Sequence, residues 1–97
     1  MNILINPVNF NIEASLNDHT QKKMEKLYGL YEGIVGIEVN YKLENNTEDS
    51  NKTAEVRVKV PGNDLFAGKT TKSFEESLDA CMDALRKQVE KHKERHR

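Results

Sequence analysis

The stretch AEVRVKVPG, residues 54–62, decides the fold class. An alanine and three valines alternate there with charged side chains. Because successive side chains of a strand point to opposite faces, this period of two predicts a strand with one buried face and one solvated face. Pro61 and Gly62 suit the centre of a type II turn, since proline presets the first φ angle and glycine accepts the positive φ that follows.

Further strands are predicted on both sides of this stretch. Residues 37–43 show the same alternation, and the polar residues 45–51 suit a flexible hairpin tip, so these two strands should pair antiparallel. A weaker strand is expected over residues 65–72. A first strand is expected over residues 2–8, ending near Pro7, which cannot donate to a ladder.

Two stretches follow a helical period instead. The first begins at about residue 13, with Asn11 or Glu13 available near its start, and should end around Tyr31, where glycines interrupt the pattern. Its apolar stripe comprises Leu16, Thr20, Met24, Leu27 and Tyr31. A capping box of Ser73 and Glu76 opens the second helix. The stripe of that helix comprises Phe74, Leu78, Cys81, Leu85, Val89 and His92.

The predicted element order is therefore β-α-β-β-β-α. Two amphipathic helices and a half-polar sheet satisfy each other when both helices cover one face of the sheet. We expect an α+β two-layer sandwich with a four-stranded sheet. Residues 1–97 should form one domain, because a chain of this length can bury only one modest core.

The compartment is predicted from what the sequence lacks. Cys81 is the only cysteine, so no intramolecular disulfide can form. Residues 1–6 lack the features of a signal peptide, and no apolar run reaches the roughly 20 residues of a membrane span. These features predict a cytoplasmic protein.

No combination of residues indicates an active site or a metal site. The carboxylates within residues 75–83 lie in the first turns of the second helix, where they complement the helix dipole. His92 and His96 have the spacing of a metal-binding pair, but Cys81 lies roughly 16 Å away along the helix and cannot complete the site. Cys81 falls on the apolar stripe, where a buried thiol is inert. We predict no catalytic residue, no metal and no cofactor.

The charge is distributed unevenly. The net charge is −1, yet residues 86–97 have a local balance of +4 and the remainder of the chain sums to −5. In helical projection the cations border both sides of the apolar stripe: Arg86, Lys93 and Arg97 on one flank, Lys91 and Arg95 on the other, and Lys87 near the outer ridge. They could complement the negative end of the helix dipole or bind nucleic acid, and composition leaves both readings open.

A second basic cluster, Lys22, Lys23 and Lys26, lies on the first helix. Lys23 falls close to the centre of the apolar stripe, so its ammonium group must extend past packed neighbours, an odd choice for stability alone. If both helices cover the same sheet face, the two basic clusters can meet on one exposed surface. This arrangement favours RNA binding.

Three segments carry a resemblance to a known family: residues 22–27, residues 61–67 and residues 85–93. In these segments and in element order the chain resembles the short ribosome hibernation-promoting factors, relatives of ribosome-associated inhibitor A once called sigma-54 modulation proteins. The resemblance implies a double-stranded-RNA-binding-like fold. It also implies a place in the mRNA and tRNA channel of the small ribosomal subunit, contact with its ribosomal RNA, and silencing of translation during slow growth.

The resemblance also assigns residues and partners. Contacts to phosphates position a protein without reading bases. By position, the resemblance implies such contacts for Lys22, Lys23, Lys26, Arg86, Lys87, Lys91 and Lys93. His92 stands where relatives often have an aromatic residue, and it can pack or titrate there. The chain ends at Arg97, which favours the short family type and implies a separate ribosome modulation factor as a second partner. A generic structured-RNA-binding module and a regulatory protein-interaction domain remain as alternatives.

Overall fold

A computed structural model describes residues 2–44 and 49–95. Most of the predicted hairpin tip, as well as His96 and Arg97, lies outside the described residues. The elements are β1 (Ile3–Val8), α1 (Ala14–Tyr28), β2 (Gly36–Leu43), β3 (Lys52–Val60), β4 (Asn63–Thr71) and α2 (Phe74–Arg95). This order confirms the predicted β-α-β-β-β-α arrangement.

The four strands form one mixed sheet in the order β1-β2-β3-β4. β1 runs parallel to β2, with α1 as the crossover, and the β2–β3 and β3–β4 pairs are antiparallel. Val60 pairs with Asn63, so Pro61 and Gly62 form a two-residue turn, and the φ angle of Gly62 is 80°. The positive φ that the type II turn requires is therefore present.

One face of the sheet supplies half of the core. Its buried side chains are Ile37, Val39, Tyr41, Ala54, Val56, Val58, Val60, Leu65 and Ala67. The alternation predicted those of β2 and β3, but Leu43, which continues the alternation at the end of β2, is 51% exposed. Both helices pack on this face. Their buried apolar residues are Leu16, Met24 and Leu27 of α1, and Leu78, Cys81, Met82, Leu85 and Val89 of α2. The two-layer α+β sandwich is confirmed.

The two helices run in the same direction. Phe10, which precedes α1, stacks on Phe74 at the start of α2, with ring centroids 5.0 Å apart. Beyond the end of α1, Tyr31 meets His92 near the end of α2 edge-on, with centroids 5.4 Å apart. Residues at similar distances from the first residue of each helix are therefore neighbours.

The predicted end of the first helix differs from the structure. α1 ends at Tyr28 and not at Tyr31, because the chain tightens there: the Leu30 N–H donates to the Leu27 carbonyl and the Tyr31 N–H to the Tyr28 carbonyl. These bonds span three residues, the 3₁₀ pattern common at helix ends. β1 ends at Val8, within the predicted range of residues 2–8, and an edge strand tolerates Pro7 because it needs hydrogen bonds on one side only.

The caps of the helices differ from each other. The hydroxyl of Ser73 accepts a hydrogen bond from the Glu76 N–H at 3.1 Å, as the capping box predicts. The reciprocal bond is replaced, because the Ser73 N–H donates to Thr71 Oγ1 at 3.3 Å. Glu13 precedes α1 in an extended conformation, and its side chain makes no capping hydrogen bond in the described part of the chain.

Candidate nucleic-acid interface

The basic half of α2 divides into two flanks and a ridge. Asp79, Arg86 and Lys93 are spaced by seven residues, which places them on one side of the helix. That side faces α1, because Asp79 contacts α1 residues. The opposite flank faces the start of β4. There Lys91 and Arg95 line a small depression of about 140 Å³ together with Asn63, Leu65, Gln88 and His92.

The cations of this half are accessible. Arg86, Lys87 and Lys91 are exposed and Lys93 is half-buried. Arg86, Lys87 and Lys91 line one shallow depression with Asp83 and Glu90, yet within the described residues no carboxylate comes within ion-pair distance of any of them. Their charge is not neutralised by a direct contact within that part of the protein.

On the outer face of the sheet, by contrast, basic side chains form ion pairs. Lys42 pairs with Glu55 at 2.9 Å, and Arg57 pairs with Asp64 at 3.4 Å. Lys59 lies 3.8 Å from Glu38. The three basic residues on the outer face of β2 and β3 are thus matched by acidic neighbours. Outside the helices, Lys52, Lys69 and Lys72 have no ion pair among the described residues, but most of the cations without a carboxylate partner there lie on the helices.

The basic cluster of α1 is split between solvent and α2. Lys22 and Lys26 are exposed, whereas Lys23 is half-buried and its Nζ lies 3.6 Å from Asp79 Oδ1. His19 Nε2 lies 3.2 Å from the same oxygen. The position of Lys23 in the stripe therefore has a structural partner, and it is not as odd for stability as the sequence suggested.

The two basic clusters lie in the same layer of the sandwich, the helical one. Both helices cover the same sheet face and run in the same direction, with Lys23 opposite Asp79. Lys26 lies one turn further along α1, and Arg86 lies two turns further along α2 on the flank that faces α1. Lys23 and Lys26 of α1 and Arg86 of α2 therefore lie on the flanks along which the two helices face each other.

Three relevant residues escaped the sequence reasoning. His19 is four residues before Lys23 on α1, a spacing that could have drawn attention to it. Arg95 was placed on a flank but not among the predicted contacts. Gln88 was noticed only as part of a motif, and its hydrogen bonds with the backbone of Phe66 across to β4 could not be inferred without the fold.

His92 and Cys81 have packing roles. His92 is buried, and its imidazole packs edge-on against the ring of Tyr31. Cys81 is fully buried, and this burial raises the pKa of its thiol to about 11. Its Sγ lies 3.4 Å from the Ala54 carbonyl oxygen. Cys81 therefore packs in the core, as predicted.

The described ranges contain no group of three or more His, Cys, Asp and Glu side chains that could hold a metal ion. Neither described helix combines the length and apolar character needed to cross a membrane.

Comparisons with known proteins bear on the fold and the family. Residues 3–97 match the sequence model of the family described as sigma 54 modulation protein / S30EA ribosomal protein. A ribosomal subunit interface protein from Coxiella burnetii superposes with a TM-score of 0.82 at 22% identity, covering 96% of this chain and 98% of that chain. The N-terminal domain of Protein Y from Thermus thermophilus superposes with a TM-score of 0.77 at 24% identity, covering 95% and 99%. Among curated proteins, no sequence matches the chain.

Proposed function

This chain belongs to the sigma 54 modulation protein / S30EA ribosomal protein family, and we propose that it binds the small ribosomal subunit in the mRNA and tRNA channel and blocks translation. Occupying the channel excludes the two RNAs that translation requires. The protein would act in the cytoplasm, with ribosomal RNA as its main partner. A separate ribosome modulation factor is proposed as a second partner in ribosome pairing.

The observation that carries this proposal is the contrast between the two faces of the sandwich. Basic residues on the outer sheet face are paired with carboxylates, whereas Arg86, Lys87 and Lys91 have no such partner among the described residues. Dipole complementation does not need the charges to extend over three turns of α2 and onto α1, because the dipole acts mainly within the last turn. A polyanionic partner accounts for that extent.

The chemistry of the proposed contacts is electrostatic. Lysine and arginine side chains on helices reach phosphate oxygens of folded RNA and fix the orientation of the protein without reading bases. The proposed phosphate contacts are Lys22, Lys23, Lys26, Arg86, Lys87, Lys91 and Lys93. Because each contact releases condensed counterions, binding should weaken steeply as salt rises.

Sedimentation with purified small ribosomal subunits at two salt concentrations tests the proposal. The test variant carries Gln in place of Arg86, Lys87, Lys91 and Lys93. The control variant carries Gln in place of Lys42, Lys59, Lys69 and Lys72, which gives the same net charge. The native chain and the control should co-sediment at low salt and the test variant should not, and added mRNA or tRNA should displace the native chain.

Two alternatives give different results in this experiment. A generic RNA-binding module is favoured by the double-stranded-RNA-binding-like fold, and it would bind any duplex RNA as tightly as the small subunit. A regulatory protein-interaction domain is suggested by the first half of the family description, and its activity would survive the four substitutions in α2.

A further inference from the structure

His19, Lys23 and Asp79 form a contact between the two helices that resembles an occupied anion site. One carboxylate oxygen of Asp79 contacts two side chains of α1, at 3.2 Å from His19 Nε2 and 3.6 Å from Lys23 Nζ. Nitrogen donors converging on one anionic oxygen are also what a phosphate oxygen requires. We propose that His19 and Lys23 form a phosphate-binding site for RNA, which Asp79 occupies in the free protein. This inference rests on the proposed function and adds its regulation.

The contact is open to a competing anion. The side chains of His19 and Lys23 are 31% and 32% exposed, and that of Asp79 is 49% exposed. Ion pairs at this degree of exposure are weak and are screened by salt. An RNA phosphate can therefore approach the two donors from solvent and displace the carboxylate, while the fully buried core beneath α1 and α2 stays packed.

The surroundings favour a polyanion over Asp79. Lys22 and Lys26 are exposed one turn or less from Lys23, and Arg86 follows Asp79 on the same flank of α2. A single carboxylate neutralises one charge of this cluster, whereas a phosphodiester backbone can contact several of these cations together. Asp79 thus acts as an internal competitor that weakens binding and keeps the donors ordered until RNA arrives.

Asp79→Asn tests this role, because it removes the charge and keeps the size of the side chain. Its affinity for purified small subunits should rise by about two- to fivefold at low salt, the size expected from releasing an exposed ion pair. The gain should be smaller in the Lys23→Gln background, because one of the two released donors is then missing. Asp83→Asn is the matched control: it removes the same charge one turn along α2, and any gain that it gives should persist in the Lys23→Gln background.

A second measurement separates this inference from the proposed function. Inorganic triphosphate is added to the native chain, Asp79→Asn and Asp83→Asn, and the His19 ring and Lys23 side-chain resonances are followed by NMR. Asp79→Asn should bind the probe more tightly than the other two at these resonances. Equal responses of all three, or an Asp79→Asn gain on small subunits that is independent of Lys23, would overturn the inference. Failure of the native chain to bind small subunits, with the probe response intact, would overturn only the proposed function.

Discussion

The side-chain amide of Gln88 makes two hydrogen bonds with the backbone of Phe66. Its nitrogen donates to the Phe66 carbonyl oxygen at 2.8 Å, and its oxygen accepts from the Phe66 N–H at 3.2 Å. β4 is an edge strand, so these backbone groups have no neighbouring strand on that side. Gln88 thus forms the hydrogen bonds that a neighbouring strand would form with Phe66. Because Gln88 lies between Lys87 and Lys91, these bonds also hold the basic half of α2 against the sheet.

Gln88→Ala should lower the free energy of unfolding by about 1–3 kcal/mol, since two hydrogen bonds are lost. Gln88→Glu should lower the free energy of unfolding by an amount in the same range. Its carboxylate still accepts from the Phe66 N–H, but it faces the Phe66 carbonyl without a proton to donate. Urea denaturation measures both. Lys87→Ala is the control, since an exposed substitution on the next position should change stability by less than about 0.5 kcal/mol. Equal midpoints for Gln88→Ala and Lys87→Ala would contradict the role of Gln88.

Gly62 supplies the positive φ of the β3–β4 turn. Its φ angle is 80°, and Gly62→Ala should cost about 1 kcal/mol although an added methyl group meets no atom within 4 Å. Gly68→Ala is the matched control on the next strand, where the φ angle is not positive and the nearest atoms lie at ordinary contact distance, 3.6 Å. Thermal unfolding should show a lower midpoint for Gly62→Ala and none of this loss for Gly68→Ala. A reversed order would show that backbone strain does not control this turn.

Much of the fold could be predicted because the core follows simple periods. The alternation in residues 54–60 predicted which β3 side chains are buried, and the stripe from Leu16 to Leu27 predicted the buried face of α1. The end of α1 was misplaced because Tyr31 continues the stripe in sequence while lying beyond the helix. Its ring packs on His92 all the same, so the apolar signal was correct and the backbone conformation was not.

The candidate site was predictable in composition but not in pairing. The sequence locates cations on both helices, yet it does not show that Lys23 meets Asp79, which is 56 positions away and depends on the parallel packing of the helices. The ion pairs on the outer sheet face depend likewise on strand register, as for Lys42 and Glu55. Long-range register and helix packing are set by the whole core, so local patterns do not specify them.

Alkaline pH should destabilise the protein through two buried groups. Burial raises the pKa of Cys81 from 9.0 to about 11 and that of Tyr41 from 10.0 to about 12. Above pH 9 the unfolded chain therefore loses protons that the folded chain retains, so stability falls as pH rises through these windows. The free energy of unfolding should fall by about 2–3 kcal/mol for each of these groups once the pH exceeds its folded-state pKa.

Urea unfolding between pH 8 and pH 11 measures this effect. Cys81→Ala should flatten the decline that begins near pH 9, and Tyr41→Phe should flatten the part above pH 10. Tyr41→Phe also loses the hydrogen bond to Thr20, so its stability at pH 8 should already be about 1 kcal/mol lower. A decline of equal steepness in the native chain and in Cys81→Ala would mean that the thiol is not the group that titrates.

Single neutralising substitutions should separate RNA-contacting cations from paired ones. Lys87 is exposed on the outer ridge of α2 without a carboxylate partner among the described residues, whereas Lys59 lies 3.8 Å from Glu38 on the outer sheet face. Lys87→Gln should reduce the slope of log affinity against log salt for small subunits by about 1, the value expected when one phosphate contact is lost. Lys59→Gln changes the net charge equally and should leave the slope unchanged, because its charge is already matched. If both substitutions reduce the slope alike, net charge governs binding and the helix surface has no special role.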